Sequence, residues 1–191
     1  RPDLNVVVFG GDGDIAGIGL SHLVHAARRN LDVMVVMVNN MIYGMTGGQV
    51  APTTPYGMKT TTTPYGNFEY ALDVTRLAVT AGASYVARYT TAHGEELTKA
   101  MKKAITTKGF SFIEAVSPCP TAFGRRVGFK DVAEMLRWFK TNSIPLEQAS
   151  GMSEQELKGK IVIGEYVHRE KPTLTDNIYS VAKEAQKLAS A

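Results

Sequence analysis

The sequence predicts an α/β fold built on a doubly wound, mostly parallel sheet, and three features predict it. Strand-like and helix-like runs alternate over the first 116 residues. Residues 33–38 are apolar at every position, as a strand covered on both faces of a parallel sheet must be. The first strand ends in a glycine-rich turn that leads straight into an amphipathic stretch, which is the start of a βαβ unit. With 191 residues, 44% hydrophobic and 20% charged, the chain is long enough to bury a core without staples.

Each element follows in order. Val6-Val7-Val8-Phe9 is a β-branched run, Gly10 to Asp14 a tight loop, and residues 15–30 an amphipathic helix. Residues 33–38 are the second strand. A long irregular segment, 39–67, precedes a helical pattern at 68–80, in which Tyr70, Leu72 and Leu77 are apolar. Residues 84–89 read as a strand, 94–107 as a helix and 110–116 as another buried strand. Beyond them, 132–140 carries Met135, Leu136, Trp138 and Phe139 at helical positions, and Ser153 with Glu156 has the spacing of a capping box. Residues 158–173 read as an extended surface segment. The last helix, 174–189, places Ile178, Val181, Ala185 and Leu188 at helical spacing and is expected to dock on the body or on a partner. Thr-Thr-Pro-Tyr-Gly occurs at 53–57 and again at 62–66, and two copies read as turn chemistry inside a long binding or interface loop. The expected division is an α/β domain over 1–130 and a helical C-terminal extension over 131–191, packed on that domain or on a partner subunit.

Composition excludes several classes. Lys and Arg are scattered, and a net charge of +3 without a basic stripe argues against nucleic acid. No apolar run approaches the ~20 residues of a membrane span, and the opening residues lack the pattern of a signal peptide. A single cysteine forbids an internal disulfide. A cytoplasmic protein is the expectation.

The most informative segment is Gly11-Asp12-Gly13-Asp14-Ile15-Ala16. It satisfies the dinucleotide pattern G-x-G-x-x-A, so an NAD(P)-binding module is one reading. Two features oppose it. Asp12 and Asp14 would repel a pyrophosphate unless a cation intervened, and the second strand ends in Asn39-Asn40 rather than in the acidic residue that holds a ribose. A metal-bridged diphosphate removes both objections. Asp12 and Asn40 would lie side by side at the carboxyl edge of the sheet, both offering the hard oxygen ligands that Mg²⁺ prefers. The carbonyl of Ile42 could add a third oxygen, and backbone N–H groups after Gly13 would face the anion.

Gly11-Asp12-Gly13, then 25 residues, then Asn39-Asn40 resembles the cofactor motif of thiamine diphosphate-dependent enzymes. The segments 22–30, 39–49 (Asn39-Asn40-Met41-Ile42-Tyr43-Gly44-Met45-Thr46-Gly47-Gly48-Gln49) and 52–55 are similar to the β subunits of the 2-oxoacid:ferredoxin oxidoreductases, within which the 2-oxoglutarate type matches best. The resemblance implies a thiamine diphosphate-binding fold holding the diphosphate half of the site. It implies oxidative cleavage of a 2-oxoacid with coenzyme A, electrons passing through iron-sulfur clusters to ferredoxin. It also implies roles: Asp12, Asn40 and the Ile42 carbonyl for Mg²⁺; Gly11, Gly13 and Asp14 for the diphosphate; Thr46, Gly47 and Gly48 as pocket lining; Met45 at the substrate end. For Thr46 a turn hydroxyl, and for Met45 a gap-filling side chain, stand as the plainer alternatives.

Cys119, in Ser117-Pro118-Cys119-Pro120, would on its own be an inert loop thiol. The resemblance makes it the fourth ligand of a [4Fe-4S] cluster, which needs four thiolates. In the family the remaining three lie in an N-terminal segment; either that segment is missing from this sequence, which is the expectation, or the cluster is absent. His22 and His25 share a helix face without a third ligand, so packing or interface roles are expected; His93 and His168 read as loop or surface residues. Arg125-Arg126 offers charge for coenzyme A phosphates or a partner's carboxylates, or is a solvated pair. The glutamate that assists the thiamine aminopyrimidine has no candidate here, and the resemblance assigns it to an α subunit. The alternatives are a thiamine-dependent decarboxylase or synthase without iron-sulfur chemistry and, further off, the dinucleotide module.

Overall fold

A computed structural model of the chain describes Arg1 and residues 3–190. Six strands form one sheet in the order β1-β2-β4-β3-β6-β5. Strands β1 (Val7–Gly11), β2 (Met34–Asn39), β3 (Tyr85–Thr90) and β4 (Ser111–Val116) run parallel. Strand β6 (Ile161–His168) joins β3 antiparallel, and the short β5 (Ser143–Pro145) pairs parallel with β6. Helices α1 (Leu20–Arg29) and α2 (Val74–Ala81) cover one face over Val35, Met37, Val86, Phe110 and Phe112. Helix α3 (Gly94–Thr106) covers the other over Met34, Val36, Tyr85, Ala87 and Ile113. This is the mostly parallel α/β sheet that the alternating pattern predicts.

The buried centre explains why β2 and β4 read as continuous apolar runs. Strand β1 differs, because it lies at the sheet edge and leaves Val7, Val8 and Phe9 exposed. A third apolar cluster, Met41, Ile42, Val116, Cys119, Phe123, Met135 and Phe139, sits just beyond the carboxyl ends of β2 and β4. Three short or medium helices follow β4: α4 (Arg125–Val127), entered through a wide π-type turn over Pro120–Gly124, then α5 (Val132–Asn142) and α6 (Leu146–Ala149). Helix α7 (Glu154–Leu157) opens with the expected capping box of Ser153 and Glu156.

Several expectations are corrected by the structure. The first helix begins at Leu20, not residue 15, because Gly17 adopts a non-helical backbone and Asp14–Ile18 forms a π-type turn. The second begins at Val74, not residue 68: the Asp73 carboxylate accepts the Arg76 N–H as an N-cap, while the Asn67 side chain donates to the Thr54 and Glu69 carbonyls and holds the preceding segment as loop. Phe68 and Tyr70 are therefore exposed. Residues 161–168 are not a surface strap but strand β6, with Val162 and Ile163 buried. Finally, the last helix, α8 (Leu174–Ala189), is held at its start by its own Thr173–Asp176 capping box and by Asn30, whose amide donates to the carbonyls of Lys171 and Pro172. Of the two placements expected for this helix, on the body or on a partner, its apolar positions Ile178, Val181 and Leu188 do not take the first, and they are exposed in this chain. No helix among the described residues is long and apolar enough to cross a membrane.

Candidate functional site

Parallel pairing brings the ends of β1 and β2 together, with Gly11 opposite Val38. Asp12 and Asn40 each follow directly, so both leave the carboxyl edge side by side, where open α/β sheets bind ligands. Asp12 is only 2% exposed, and its carboxylate accepts the Thr53 hydroxyl. Burial pushes its pKa above the usual carboxylate value, opposed by Thr53 and by the backbone N–H groups of Asn40, Asp12 and Gly13. Among the described residues no Lys, Arg or His pairs with it. A buried carboxylate without a cationic partner is costly, and a divalent ion would relieve it.

The opposite wall is the segment 40–49. Met41 adopts a left-handed backbone, φ 65°, held on both sides: its N–H donates to the Asn39 side chain at 3.0 Å, and its carbonyl accepts the Thr54 hydroxyl at 2.7 Å. The Asn40 Oδ1 accepts the Ile42 N–H at 3.2 Å. This turn buries the Ile42 side chain, while the Ile42 carbonyl accepts no hydrogen bond among the described residues. Three oxygens of the hard type, from Asp12, Asn40 and Ile42, thus gather at one sheet edge. That donor set fits Mg²⁺, which completes its octahedron with phosphate oxygens and water.

Tyr43 ties this segment back to the turn that follows β1. Its hydroxyl donates to the Gly13 carbonyl at 3.0 Å, and its ring lies so close to Gly13 that a Cβ there would overlap it. Gly11 ends β1 half-buried and Asp14 is exposed. Gly47 and Gly48, with φ of 120° and 89°, need the freedom of glycine, and Gly48 is buried. Thr46 is exposed, and its hydroxyl donates to the Gln49 side-chain oxygen at 2.8 Å while the Gln49 amide donates to the Thr46 carbonyl at 2.8 Å. Met45 is fully exposed and packs in no core, which removes the gap-filling reading.

Cys119 is buried beside Met41, Ile42 and Phe123, and its Sγ lies against Gly44. The sequence holds no second cysteine, and no group of three His, Cys, Asp or Glu among the described residues is placed to hold a metal. One thiol does not hold a cluster, so the other ligands would have to come from outside this chain. His22 and His25 are exposed on α1, away from the apolar core. His93 precedes α3 and shares a hydrogen bond with Thr90 at 2.8 Å; His168 is exposed at the end of β6. Arg125 and Arg126 are exposed, Arg126 reaching over Gly48.

Sequence reasoning missed Thr53, Thr54, Asn39 as a support, and a polar row under α2. Thr53 and Thr54 belong to the first Thr-Thr-Pro-Tyr-Gly echo and reach the site; in the second copy Thr63 bonds to Thr60 instead. The glycines of both copies, Gly57 and Gly66, have positive φ, which is the turn role expected of them. A signal for the polar row was available: Glu114 is a charge inside a strand read as buried, and Arg88 is an opposite charge inside another predicted strand.

These features define a thiamine pyrophosphate-binding domain, and the family model "Thiamine pyrophosphate enzyme, C-terminal TPP binding domain" matches residues 1–115. The chain is 54% identical over 181 residues to the 2-oxoglutarate synthase subunit KorB of Methanocaldococcus jannaschii, covering 95% of this chain and 67% of that one. It is 43% identical over 121 residues to the 2-oxoacid:ferredoxin oxidoreductase subunit beta of Saccharolobus solfataricus, covering 63% and 40%. The solved 2-oxoglutarate:ferredoxin oxidoreductase from Magnetococcus marinus, with 2-oxoglutarate, coenzyme A and succinyl-CoA bound, superposes with a TM-score of 0.81 at 31% identity over 97% of this chain and 64% of that one. The chain belongs to the family of 2-oxoacid:ferredoxin oxidoreductase β subunits. It spans 64–67% of the length of three 2-oxoglutarate synthase KorB subunits to which it is 50–54% identical.

Proposed function

We propose that this chain is the diphosphate-binding half of a thiamine diphosphate-dependent 2-oxoacid:ferredoxin oxidoreductase, with 2-oxoglutarate as its substrate. The observation that carries the proposal is the buried, cation-less Asp12 beside Asn40 at the carboxyl edge of β1 and β2. The reaction converts a 2-oxoacid and coenzyme A into an acyl-CoA, CO₂ and a proton, while two ferredoxins each take up one electron.

Asp12, Asn40 and the Ile42 carbonyl would hold Mg²⁺, and Gly11, Gly13 and Asp14 would border the diphosphate. Thiamine diphosphate, when bound, supplies the electron sink for cleaving the carboxyl group from a 2-oxoacid. The chain's own task is orientation: the Thr53 hydroxyl fixes the Asp12 carboxylate, Tyr43 clamps the Gly13 turn, and the strained Met41 backbone sets Asn40 and Ile42 in register. Met45, exposed at the rim beside Thr46, Gly47 and Gly48, would face the substrate and influence which 2-oxoacid fits. Arg126 offers positive charge near Gly48, with Arg125 next to it in the sequence, suited to a carboxylate or to coenzyme A phosphates.

An α subunit would complete the site by covering this edge and contributing the aminopyrimidine carboxylate. The exposure of Tyr56, Tyr65, Phe68 and Tyr70 on the loop between β2 and α2 supports such a partner, since apolar surface of that extent marks an interface. Cys119 would be one ligand of a [4Fe-4S] cluster that relays electrons to ferredoxin. The enzyme would work in the cytoplasm, where free thiols stay reduced.

The test is calorimetric titration of the assembled enzyme with thiamine diphosphate, with Mg²⁺ and again with EDTA. Binding that ignores EDTA, or that survives Asp12→Ala unchanged, overturns the proposal. Rates with 2-oxoglutarate, pyruvate and branched 2-oxoacids decide the substrate, and iron analysis separates this reading from a thiamine enzyme without iron-sulfur chemistry.

A further inference from the structure

Beneath the N-terminus of α2 lies a row of polar side chains that the proposed cofactor site does not itself use. Asn39, Glu114 and Arg88 occupy neighbouring strands β2, β4 and β3, on the face that also carries Met37, Phe112 and Val86. Glu114 is 4% exposed, in the middle of the sheet. Its carboxylate accepts the Asn39 amide at 2.7 Å and the Arg88 Nε at 2.7 Å, and it also accepts the Thr75 hydroxyl. Arg88 continues to the Asp73 carboxylate and, at 3.1 Å, to the Tyr166 hydroxyl.

Such an assembly could be an ion pair that merely holds the sheet together. What distinguishes it is where its free end leads. Asn39 has two ends: its Nδ2 donates to Glu114, and its Oδ1 accepts the Met41 N–H at 3.0 Å. Fixing the amide on Glu114 leaves Oδ1 one direction to point, toward the left-handed Met41. An L residue seldom adopts that backbone without support. Asn40 and Ile42 flank Met41, so the same turn sets the side-chain oxygen of one and the carbonyl of the other. A metal ligand held by a fixed support binds more tightly than one left to choose its own rotamer.

We propose that Glu114, oriented by Arg88, is a positioning residue for the Mg²⁺-diphosphate site, acting through Asn39 on the Met41 turn. The inference rests on the thiamine reading above. It assigns to Glu114 no contact with cofactor or substrate.

The test compares two charge-balanced double variants in the assembled enzyme. Glu114→Gln with Arg88→Met keeps an amide oxygen for Asn39 and an N–H for Thr75, without a buried charge. Glu114→Leu with Arg88→Met also buries no charge but offers Asn39 no acceptor. Thermal melting reports folding, and titrating thiamine diphosphate at a series of Mg²⁺ concentrations reports the site. The glutamine variant is expected to bind within about threefold of wild type, and the leucine variant about 10–100-fold more weakly with a raised Mg²⁺ requirement, the range typical of losing a ligand's support. Equal binding by the two variants, tight or weak, overturns the inference. Should the leucine variant not fold, Asn39→Ala removes the same link while leaving the ion pair intact, and undiminished binding there overturns it equally. Failure of the wild-type enzyme to bind thiamine diphosphate with Mg²⁺ would instead overturn the reading on which this inference stands.

Discussion

Replacing Asp12 by Asn should separate the two things that carboxylate does. It is buried, its pKa is raised by that burial, and no cation pairs with it among the described residues. The native state therefore keeps the proton to higher pH than the unfolded chain does, and stability falls as pH rises from the ordinary carboxylate range through the raised native value. Asp12→Asn removes that fall. Its Oδ1 still accepts the backbone N–H groups, and Thr53 can turn its hydroxyl to accept from Nδ2. At pH 7 the metal-free variant should melt no lower than wild type, and higher by the equivalent of about 1–3 kcal/mol if burial of the charge is fully relieved. Ligand binding should respond in the opposite direction. Unit charges 4 Å apart at an effective dielectric of 20 interact by about 4 kcal/mol, and a metal ligand is closer than that, so Mg²⁺-dependent affinity should fall at least about a hundredfold. At about 100 times the wild-type Kd, Mg²⁺ with thiamine diphosphate should stabilise wild type by about 2.7 kcal/mol, roughly 5–11 °C for a chain of this size, and shift the variant by no more than about 0.4 kcal/mol, roughly 1–2 °C. Differential scanning calorimetry of wild type and variant from pH 4 to 8, with and without ligand, measures both arms. A variant that melts lower without metal, or that gains the same shift with it, refutes the reasoning.

Other perturbations follow from the same geometry. Gly13→Ala puts a methyl group into the Tyr43 ring, so it should cost about 1–3 kcal/mol, and adding Tyr43→Ala should recover most of that in a double-mutant cycle read by denaturant unfolding. Cys119→Ser should leave the apolar cluster folded while lowering the iron content and ferredoxin reduction of the intact enzyme; unchanged iron on elemental analysis would remove Cys119 from the ligand set. Met45→Ala, at a fully exposed position, should leave Tm within a degree or so of wild type yet change the ratio of kcat/KM between 2-oxoglutarate and pyruvate. Thr173→Ala removes the capping box that starts α8 and should cost about 1 kcal/mol, seen as lost helicity by circular dichroism.

Much of this site was legible before any fold was known. Gly11-Asp12-Gly13 and Asn39-Asn40 are local motifs, each attached to a strand whose apolar run is unmistakable, and parallel pairing of the first two strands leaves their carboxyl ends adjacent. The supports were not legible. Thr53 lies 41 residues from Asp12 and Glu114 lies 75 residues from Asn39, and nothing local in Thr53-Thr54 or in Phe112-Ile113-Glu114 says which polar atom each will meet. Strand β6 was missed for a related reason, because its exposed and half-buried residues at the far side of β3 give no clean alternation. The helix boundaries at Leu20 and Val74 moved because Gly17 and the Asp73 cap outweigh the apolar periodicity that precedes them.

The sequence by itself determined the parallel α/β sheet, its buried central strands, and the oxygen ligands offered at its edge, because apolar period and motif spacing are properties of neighbours along the chain. Only the tertiary structure decided that Asp12 is buried without a cation, that α8 leaves its apolar face open, and that Glu114 and Arg88 stand behind the Met41 turn. Those depend on which strands lie side by side, and burial, charge pairing and strain exist only between residues that folding has brought together.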